Sequence, residues 1–425
     1  MTFSPRFLVL SLAAVLAAAP CLAQDEPDSL AARQALTVFL DCDRCDDDYI
    51  RREITFVNYV RDRTESQVHL LITTENTGGG REYLLNYIGR DDFAGVNDTL
   101  RYVSSRTDTD DERRFGLAQI IKLGLVRYVA RTPLANQLAV SYDATQPQAQ
   151  QTSPEDDPWN FWIFRIGLNG SFNIEEQTDS YRLSGSLDAR RVTEEWKIRF
   201  SANGSYRENN FEIDDTTITS TRRNGNARAL IVNSLGERWS TGGFASISTS
   251  SFNNTALSAT LAPAIEFNLF PYTESSRREF RFSYFLNLRA FDYEEETIFN
   301  KTSEVLLHHE LQAQLEVEQP WGEAFAIFEA SSYLTDFKES LLDLYRLVLF
   351  GFVQVRLVRG LSIFANGGVS RIRDQIFLPK EEASEEDILL GNIRLPTSFE
   401  YSFSLGFSYT FGSIYNNIVN PRFGS

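Results

Sequence analysis

The stretch Tyr401-Ser-Phe-Ser-Leu-Gly-Phe-Ser-Tyr-Thr-Phe411 alternates large apolar and small residues without a break. Successive side chains of a β-strand point to opposite faces, so one face of this stretch is apolar and the other is made of serine, glycine and threonine. The same period of two extends back to Trp159. It predicts twelve strands, at 159–174, 181–191, 195–207, 217–233, 238–250, 256–270, 278–292, 303–318, 323–335, 342–358, 361–373 and 398–412.

The length of these strands indicates a membrane rather than a soluble sheet. Strands of globular sheets usually have about five or six residues, whereas a tilted strand needs ~9–11 residues to cross a bilayer. Connections after even-numbered strands, such as 359–360, are mostly shorter than those after odd-numbered strands, such as 372–397. Outer-membrane barrels have an even strand number, short periplasmic turns and long outer loops. We therefore expect a mainly β fold, an antiparallel transmembrane β-barrel of about 12 strands over 158–412. Poor alternation in three strands leaves a count of ten to fourteen open.

The region 158–412 resembles a bacterial outer-membrane β-barrel protein. Tyr401 to Phe411 is similar to the C-terminal strand that the barrel-assembly machinery recognises in those proteins. The resemblance implies a porin-like fold in a Gram-negative outer membrane, with the lipid bilayer and that machinery as partners. The pattern departs from the family because residues 413–425 follow the strand, and we expect them to form a periplasmic tail. A soluble β-sandwich would also alternate, but it would not expose long aromatic faces without covering layers.

Composition excludes some classes of protein. The chain has 425 residues, a net charge of −17 and a pI near 4.8, which argues against nucleic acid as a partner because nucleic-acid binders need a basic face. The mean hydropathy of −0.27 is that of a soluble protein. A membrane strand, however, averages to neutral, so composition does not test a barrel.

The first residues are expected to be an export signal. Arg6 precedes an apolar run at 7–19, too short to span a bilayer, and we predict a signal peptide over 1–23. A lipoprotein cut before Cys21 is disfavoured by Pro20. Residues 24–133 are predicted to form a small periplasmic α+β domain, and the proline- and glutamine-rich residues 134–157 a linker.

Within this domain, the patterns predict strands at 36–40, 68–74, 82–88 and 100–104, with a hairpin at Gly78–Gly80. A helix is expected from 46 to 63, with buried Ile50, Ile54, Val57 and Val60. A second helix is expected from 110 to 131, with a capping box formed by Thr109 and Glu112. Its predicted buried stripe is Phe115, Ala118, Ile121, Leu125 and Tyr128.

Cys42 and Cys45 form a CxxC motif between a predicted strand and a predicted helix. In an oxidising, exported compartment we expect a local disulfide between them. The placement is similar to a thioredoxin active site, which leaves a redox role open, although the surrounding aspartates oppose a thiolate. A metal site is disfavoured, because a zinc site needs four ligands and His69 is the only histidine of the domain.

The predicted barrel interior carries charges of both signs. The residues expected to face the lumen are Arg165, Lys197, Arg199, Glu266, Arg281, Arg289, Glu304, Glu310, Glu316, Arg346 and Arg356. His308 is expected to face the lumen and His309 the lipid. Eight-stranded barrels are filled by side chains and barrels of sixteen or more strands leave a channel, so twelve strands leave both a filled and a permeable lumen open.

The sequence leaves two possible functions for the chain. The first is a narrow channel for small, charged solutes, and the alternative is a non-transporting membrane anchor whose periplasmic domain binds a protein partner. No residue pattern indicates an enzyme, a cofactor or a metal site, so none is expected.

Overall fold

The computed structural model describes residues 35–139, 157–213, 216–334, 344–381, 384–413, 415, 417, 420 and 422. The predicted signal peptide at 1–23 lies outside the described residues, as does most of the predicted linker at 134–157.

The N-terminal domain is a five-stranded mixed sheet with two helices. Its elements are β1 (Thr37–Asp41), α1 (Asp47–Glu53), β2 (Asn58–Tyr59), β3 (Val68–Asn76), β4 (Gly80–Gly89), β5 (Asn97–Ser105) and α2 (Asp110–Val129). The strand order is β2-β1-β3-β4-β5, with β1 parallel to both of its neighbours and the other pairs antiparallel. The prediction of a small α+β domain is confirmed.

Helix α2 covers the sheet. Thr109 and Glu112 form the predicted capping box at its start. The helix buries Ile121, Leu125 and Tyr128 in one core with residues of β1, β3 and β4. Phe115 was expected in this stripe, but it is 52% exposed. At about 100° per residue it lies roughly 120° around the helix from Ile121, which turns it away from the core.

Helix α1 is shorter than predicted. It ends at Glu53, and the chain then enters β2, which pairs in parallel with β1. The predicted stripe of Ile50, Ile54, Val57 and Val60 is buried throughout. A helix and a turn followed by a short strand can bury the same residues, so the apolar spacing did not reveal where the helix ends.

The second part of the chain is one antiparallel sheet of twelve strands, each paired with its neighbour in sequence, which we call the barrel sheet. Its strands are β6 (Trp162–Ile174), β7 (Thr178–Val192), β8 (Trp196–Ile213), β9 (Thr216–Ser234), β10 (Trp239–Ser250), β11 (Thr255–Asn268), β12 (Arg278–Tyr293), β13 (Ser303–Gln319), β14 (Gly322–Tyr333), β15 (Tyr345–Val358), β16 (Leu361–Ile372) and β17 (Phe399–Tyr409). The predicted number, order and pairing of strands are confirmed. Among the described residues no ladder joins β17 to β6, so both strands have a free edge.

The two faces of the barrel sheet differ in exposure. On β12, Phe282, Tyr284 and Leu286 are exposed, whereas the alternating Ser283 and Asn287 are buried. We call the face of Ser283 the inner face and the apolar face the outer face. The strand ladders carry this assignment around the sheet, because directly paired residues point to the same side.

The two ends of the barrel sheet also differ. The short-turn end has the connections 193–195, 235–238, 269–277, 320–321 and 359–360, and the long-loop end includes 294–302, 334–344 and 373–398. The loop predicted after the third strand at 209–216 is mostly strand, because β8 and β9 extend to Ile213 and Thr216. None of the described helices is long and apolar enough to cross a membrane.

The connection after β16 folds back over the long-loop end. It contains α3 (Glu385–Leu390), and its Ile376 and Leu378 are buried. Asn254, after β10, ties two loops together through its side chain. It donates to the carbonyl oxygens of Phe377 and Glu295 at 3.1 and 3.0 Å and accepts from the Glu295 amide at 2.7 Å.

Candidate functional site

A buried charged cluster joins the N-terminal domain to the barrel sheet. Asp41 is the last residue of β1, and its carboxylate lies 2.8 Å from Nε2 of His69 on β3. Asp41 and His69 are only 7% and 1% exposed. Arg356, near the short-turn end of β15, donates from both terminal nitrogens to the two oxygens of this carboxylate. This bidentate ion pair links the two parts of the chain.

The electrostatics of the cluster favour a charged Asp41. Burial raises the pKa of this carboxyl, but hydrogen bonds from His69 and Arg356 outweigh burial and hold the pKa below its ordinary value. The Phe39 ring packs against both partners of this carboxylate: its centroid lies 5.4 Å from the Arg356 guanidinium and 5.1 Å from the His69 ring centroid. The buried Asp41 and His69 and the partly exposed Arg356 therefore form a packed contact.

A second contact lies beside it, at the turn between β15 and β16. The Gly360 amide donates to the Asp62 carboxylate at 2.6 Å, and Arg359 pairs with Glu65 at 2.7 Å. Gly360 has a φ of +71°, and a Cβ there would lie 2.1 Å from the Thr410 carbonyl oxygen, so the turn requires glycine. Burial raises the pKa of Asp62, but hydrogen bonds from Thr64 and Gly360 outweigh it and lower the pKa.

The described residues of the C-terminal tail also contact the domain. Arg61 donates to the Gly412 carbonyl oxygen at 2.9 Å, and Tyr415 forms an antiparallel bridge with Val60. The Asn417 side chain donates to the Asn58 side-chain oxygen at 2.8 Å. The tail therefore lies on the same side of the barrel sheet as the domain, next to β2.

The end of β3 and the β3–β4 hairpin reach other parts of the barrel sheet. Ser275, between β11 and β12, donates to Glu75 at 2.6 Å. The β3–β4 hairpin approaches the start of the barrel sheet, where a Cβ on Gly79 would lie 3.0 Å from Ile163. The contacts therefore involve β6, the β11–β12 turn, the β15–β16 turn and the residues after β17, and the domain spans the short-turn end.

One domain residue is electrostatically coupled to the inner face. The pKa of Arg106, in the β5–α2 loop, is lowered by burial and by the charges of Arg190, Arg165 and Arg199, while the charge of Asp188 acts in the opposite direction. Arg106 is thus close enough to the charges of the first three barrel strands to interact with them.

The strand ladders place all eleven residues expected in the lumen on the inner face. Three of the arginines form ion pairs: Arg199 with Asp188 at 3.0 Å, Arg281 with Glu279 at 3.1 Å and with Glu266 at 3.5 Å, and Arg346 with Asp374 at 2.9 Å. Two further residues form hydrogen bonds with tyrosine hydroxyls, Arg289 with Tyr333 at 3.1 Å and Glu304 with Tyr293 at 2.7 Å. Arg356 differs from the rest because it contacts the domain. The contacts of Arg165, Lys197, Glu310 and Glu316 include no hydrogen bond or ion pair to another side chain among the described residues.

The two adjacent histidines lie on opposite faces. His308 is buried on the inner face, with its Nδ1 3.2 Å from the Asn287 amide nitrogen. His309 lies on the outer face, with its Nε2 2.9 Å from the Ser332 hydroxyl.

Cys42 and Cys45 are joined by a disulfide in the β1–α1 connection, with a Cα–Cα distance of 5.7 Å. The flanking Asp46 caps α1 by accepting from the Tyr49 amide at 2.9 Å. The disulfide therefore closes the turn directly after Asp41. Within the described part of the chain, no group of three His, Cys, Asp or Glu residues is arranged to hold a metal ion.

The sequence did not indicate the cluster of Asp41, His69 and Arg356, which we call the docking cluster. In the sequence, Asp41 is one of several neighbouring acidic residues, and His69 is a lone histidine in an apolar stretch. Arg356 is 315 positions away from Asp41, and no local pattern relates the two. The available signal was an acidic residue at the end of an apolar strand, which needs a cation if it is buried.

Comparisons with known proteins give a fold likeness only. No protein-family model and no curated protein matches the chain. Among solved structures it is similar to the NanC porin, the translocator domain of the autotransporter NalP from Neisseria meningitidis and the β-domain of the Bordetella autotransporter BrkA. Identities are 8%, 12% and 9%, and TM-scores are 0.27, 0.17 and 0.25. The matches cover 55%, 59% and 59% of this chain and 98%, 81% and 98% of those chains. TM-scores this far below 0.5 establish neither a shared family nor a shared activity.

Proposed function

We propose that the chain is an outer-membrane β-barrel channel for small solutes, with its periplasmic end capped by the N-terminal domain. The outer face supports the membrane location. Tyr401, Phe403 and Phe407 of β17 are 75%, 73% and 74% exposed. Each of the strands β6 to β16 also has exposed large apolar side chains. A soluble sheet would need a layer covering such a face, and the N-terminal domain lies at the end of the strands instead.

The position of the tryptophans supports the same location. Trp159, Trp196, Trp239 and Trp321 lie at the short-turn end and are 39% to 64% exposed. An aromatic belt is favoured where lipid headgroups meet water. With short turns in the periplasm, the domain and the tail are periplasmic and the long loops are outside. Insertion by the barrel-assembly machinery is part of the proposal, supported by the alternating strand that ends at Phe411.

The docking cluster supports the cap. The Asp41–Arg356 pair is buried, and the contacts of Ser275, Gly360 and Gly412 lie at separate strand ends. Solutes leaving the barrel at this end would meet the domain. We infer that the capped structure is the closed state and that undocking the domain opens a path.

A second function, a non-transporting anchor for the domain, is favoured by one further observation. The connection after β16 folds over the long-loop end, so both ends of the barrel sheet are covered. In that case a periplasmic protein would be the partner of the domain, and no solute would pass.

Planar-bilayer conductance of the full chain distinguishes the two functions. We expect the unsubstituted chain to be mostly closed and Arg356→Ala to raise the open fraction, because it leaves the Asp41 carboxylate without its cation. Loss of one partner of a buried ion pair costs about 3 kcal/mol. Arg289→Ala, on the inner face but without a contact to the domain, is the control. If neither the unsubstituted chain nor Arg356→Ala conducts, the channel is excluded and the anchor is supported.

A further inference from the structure

The inner face of β6 to β9 carries an uncharged wall of hydrogen-bonding side chains. We call Asn169, Ser184, Ser186, Asn203, Ser205 and Asn226 the polar wall. The ladders align them in two rows: Asn169 pairs with Ser184 and Ser184 with Ser205, while Ser186 pairs with Asn203 and Asn203 with Asn226. They line a cavity of about 580 Å³, a volume within the usual range for small-molecule sites.

These side chains have unused hydrogen-bonding capacity. None of the six has a hydrogen-bond partner for its side chain among the described residues, and none is buried. By contrast, Arg281 and Arg346 on the inner face are paired with carboxylates of the same chain. Of the four charges expected in the lumen that lack a hydrogen bond or ion pair to another described side chain, only Arg165 lines this cavity. Charges that already neutralise each other offer little to a charged solute, whereas free hydroxyl and amide groups offer both donors and acceptors.

We propose that the polar wall binds uncharged polyhydroxylated solutes, that is, neutral sugars. Sugar hydroxyls both donate and accept, as serine hydroxyls do, and an asparagine amide donates and accepts at its two ends. Arg165 is the one charged residue among those lining the cavity. Stronger binding of acidic sugars is therefore the alternative that the test must exclude. This inference rests on the proposed function, because a solute reaches the inner face only if the barrel admits it.

The test is equilibrium binding of sugars to the intact, detergent-solubilised chain. Binding is measured by calorimetry and by saturation-transfer NMR. The probes are a linear hexasaccharide of glucose and a hexasaccharide of a uronic acid. We expect the neutral probe to bind more tightly. The triple variant Asn169→Ala, Asn203→Ala, Asn226→Ala should lose at least about tenfold in affinity, since each neutral hydrogen bond contributes about a few-fold. Asn366→Ala, on the inner face of β16, should stay within about twofold.

Equal binding by the triple variant, tighter binding of the acidic probe, or no binding of the neutral probe to a correctly folded chain would overturn the inference. Binding in detergent needs the solute to enter the barrel from one end only, whereas conduction needs a continuous path between both ends. A chain that binds the neutral probe but never conducts contradicts the proposed channel alone. A chain that conducts but ignores the probe contradicts the sugar proposal alone.

Discussion

At the scale of single residues, Asp41 controls docking through its charge. Its pKa in the folded chain lies below the ordinary value of 3.8, so the carboxylate stabilises the folded state fully above that value. This stabilisation is lost as the pH falls through the lowered pKa. We expect the thermal stability of the domain–barrel contact to drop on acidification below about pH 4. The pKa of Asp62 is also lowered, so protonation of Asp62 at low pH should destabilise the domain–barrel contact as well.

The variant Asp41→Asn isolates this contribution. It keeps the size of the side chain but leaves Arg356 without a buried anion, which should cost about 2 kcal/mol at neutral pH. The acid-induced loss of stability should shrink, which differential scanning calorimetry from about pH 6 to pH 2 measures. Asp108→Asn, outside the cluster, is the control. An unchanged pH profile in Asp41→Asn would contradict the role given to this carboxylate.

At the scale of elements, alternation predicted the barrel strands well because period two directly reports which face is exposed. Helical apolar spacing predicted the wrong end of α1, because two different local structures bury the same residues. Ile54 and Val57 are buried whether the chain continues as a helix or turns into β2, and only the pairing of β2 with β1 decides. The docking cluster could not be predicted, because it depends on how two separately folded parts meet.

The β1–α1 connection should be stabilised by its disulfide. Closing so short a loop is worth about 2 kcal/mol, and the turn carries Asp41 at its start. We predict that protein from the oxidising compartment has no free thiol at Cys42 or Cys45, as mass spectrometry after alkylation would show. Reduction should loosen the docking of the domain and increase its protease sensitivity. Free thiols at both positions would contradict the expected disulfide.

The loop after β16 should be held by Asn254. This side chain satisfies three backbone groups of two other segments, which Asn254→Ala would leave without partners. We expect faster proteolysis within residues 373–398 and a loss of about 2–3 kcal/mol in local stability. Asn300→Ala is a matched control, since Asn300 also has a positive φ but is exposed. Equal proteolysis of the two variants would remove the tethering role from Asn254.

At the scale of the whole molecule, the proposed structure is a membrane barrel whose periplasmic end is held shut by its own N-terminal domain. The outer face follows from the alternation, and the cap follows from two ion pairs and a hydrogen bond between residues more than 290 positions apart. Extraction from cells should therefore need detergent, and the domain should be protected from protease added to intact cells. Recovery of the chain in the soluble fraction would contradict the membrane location.

The most direct test of the cap is the distance between the domain and the barrel sheet in native outer-membrane vesicles. Spin labels at Thr107 in the domain and Glu194 in the β7–β8 turn, both exposed, would be measured by pulsed electron paramagnetic resonance. If the domain is docked, the unsubstituted chain should give one narrow distance distribution and Arg356→Ala a broad one. A broad distribution in the unsubstituted chain, or a narrow one that Arg356→Ala leaves unchanged, would contradict the proposed cap.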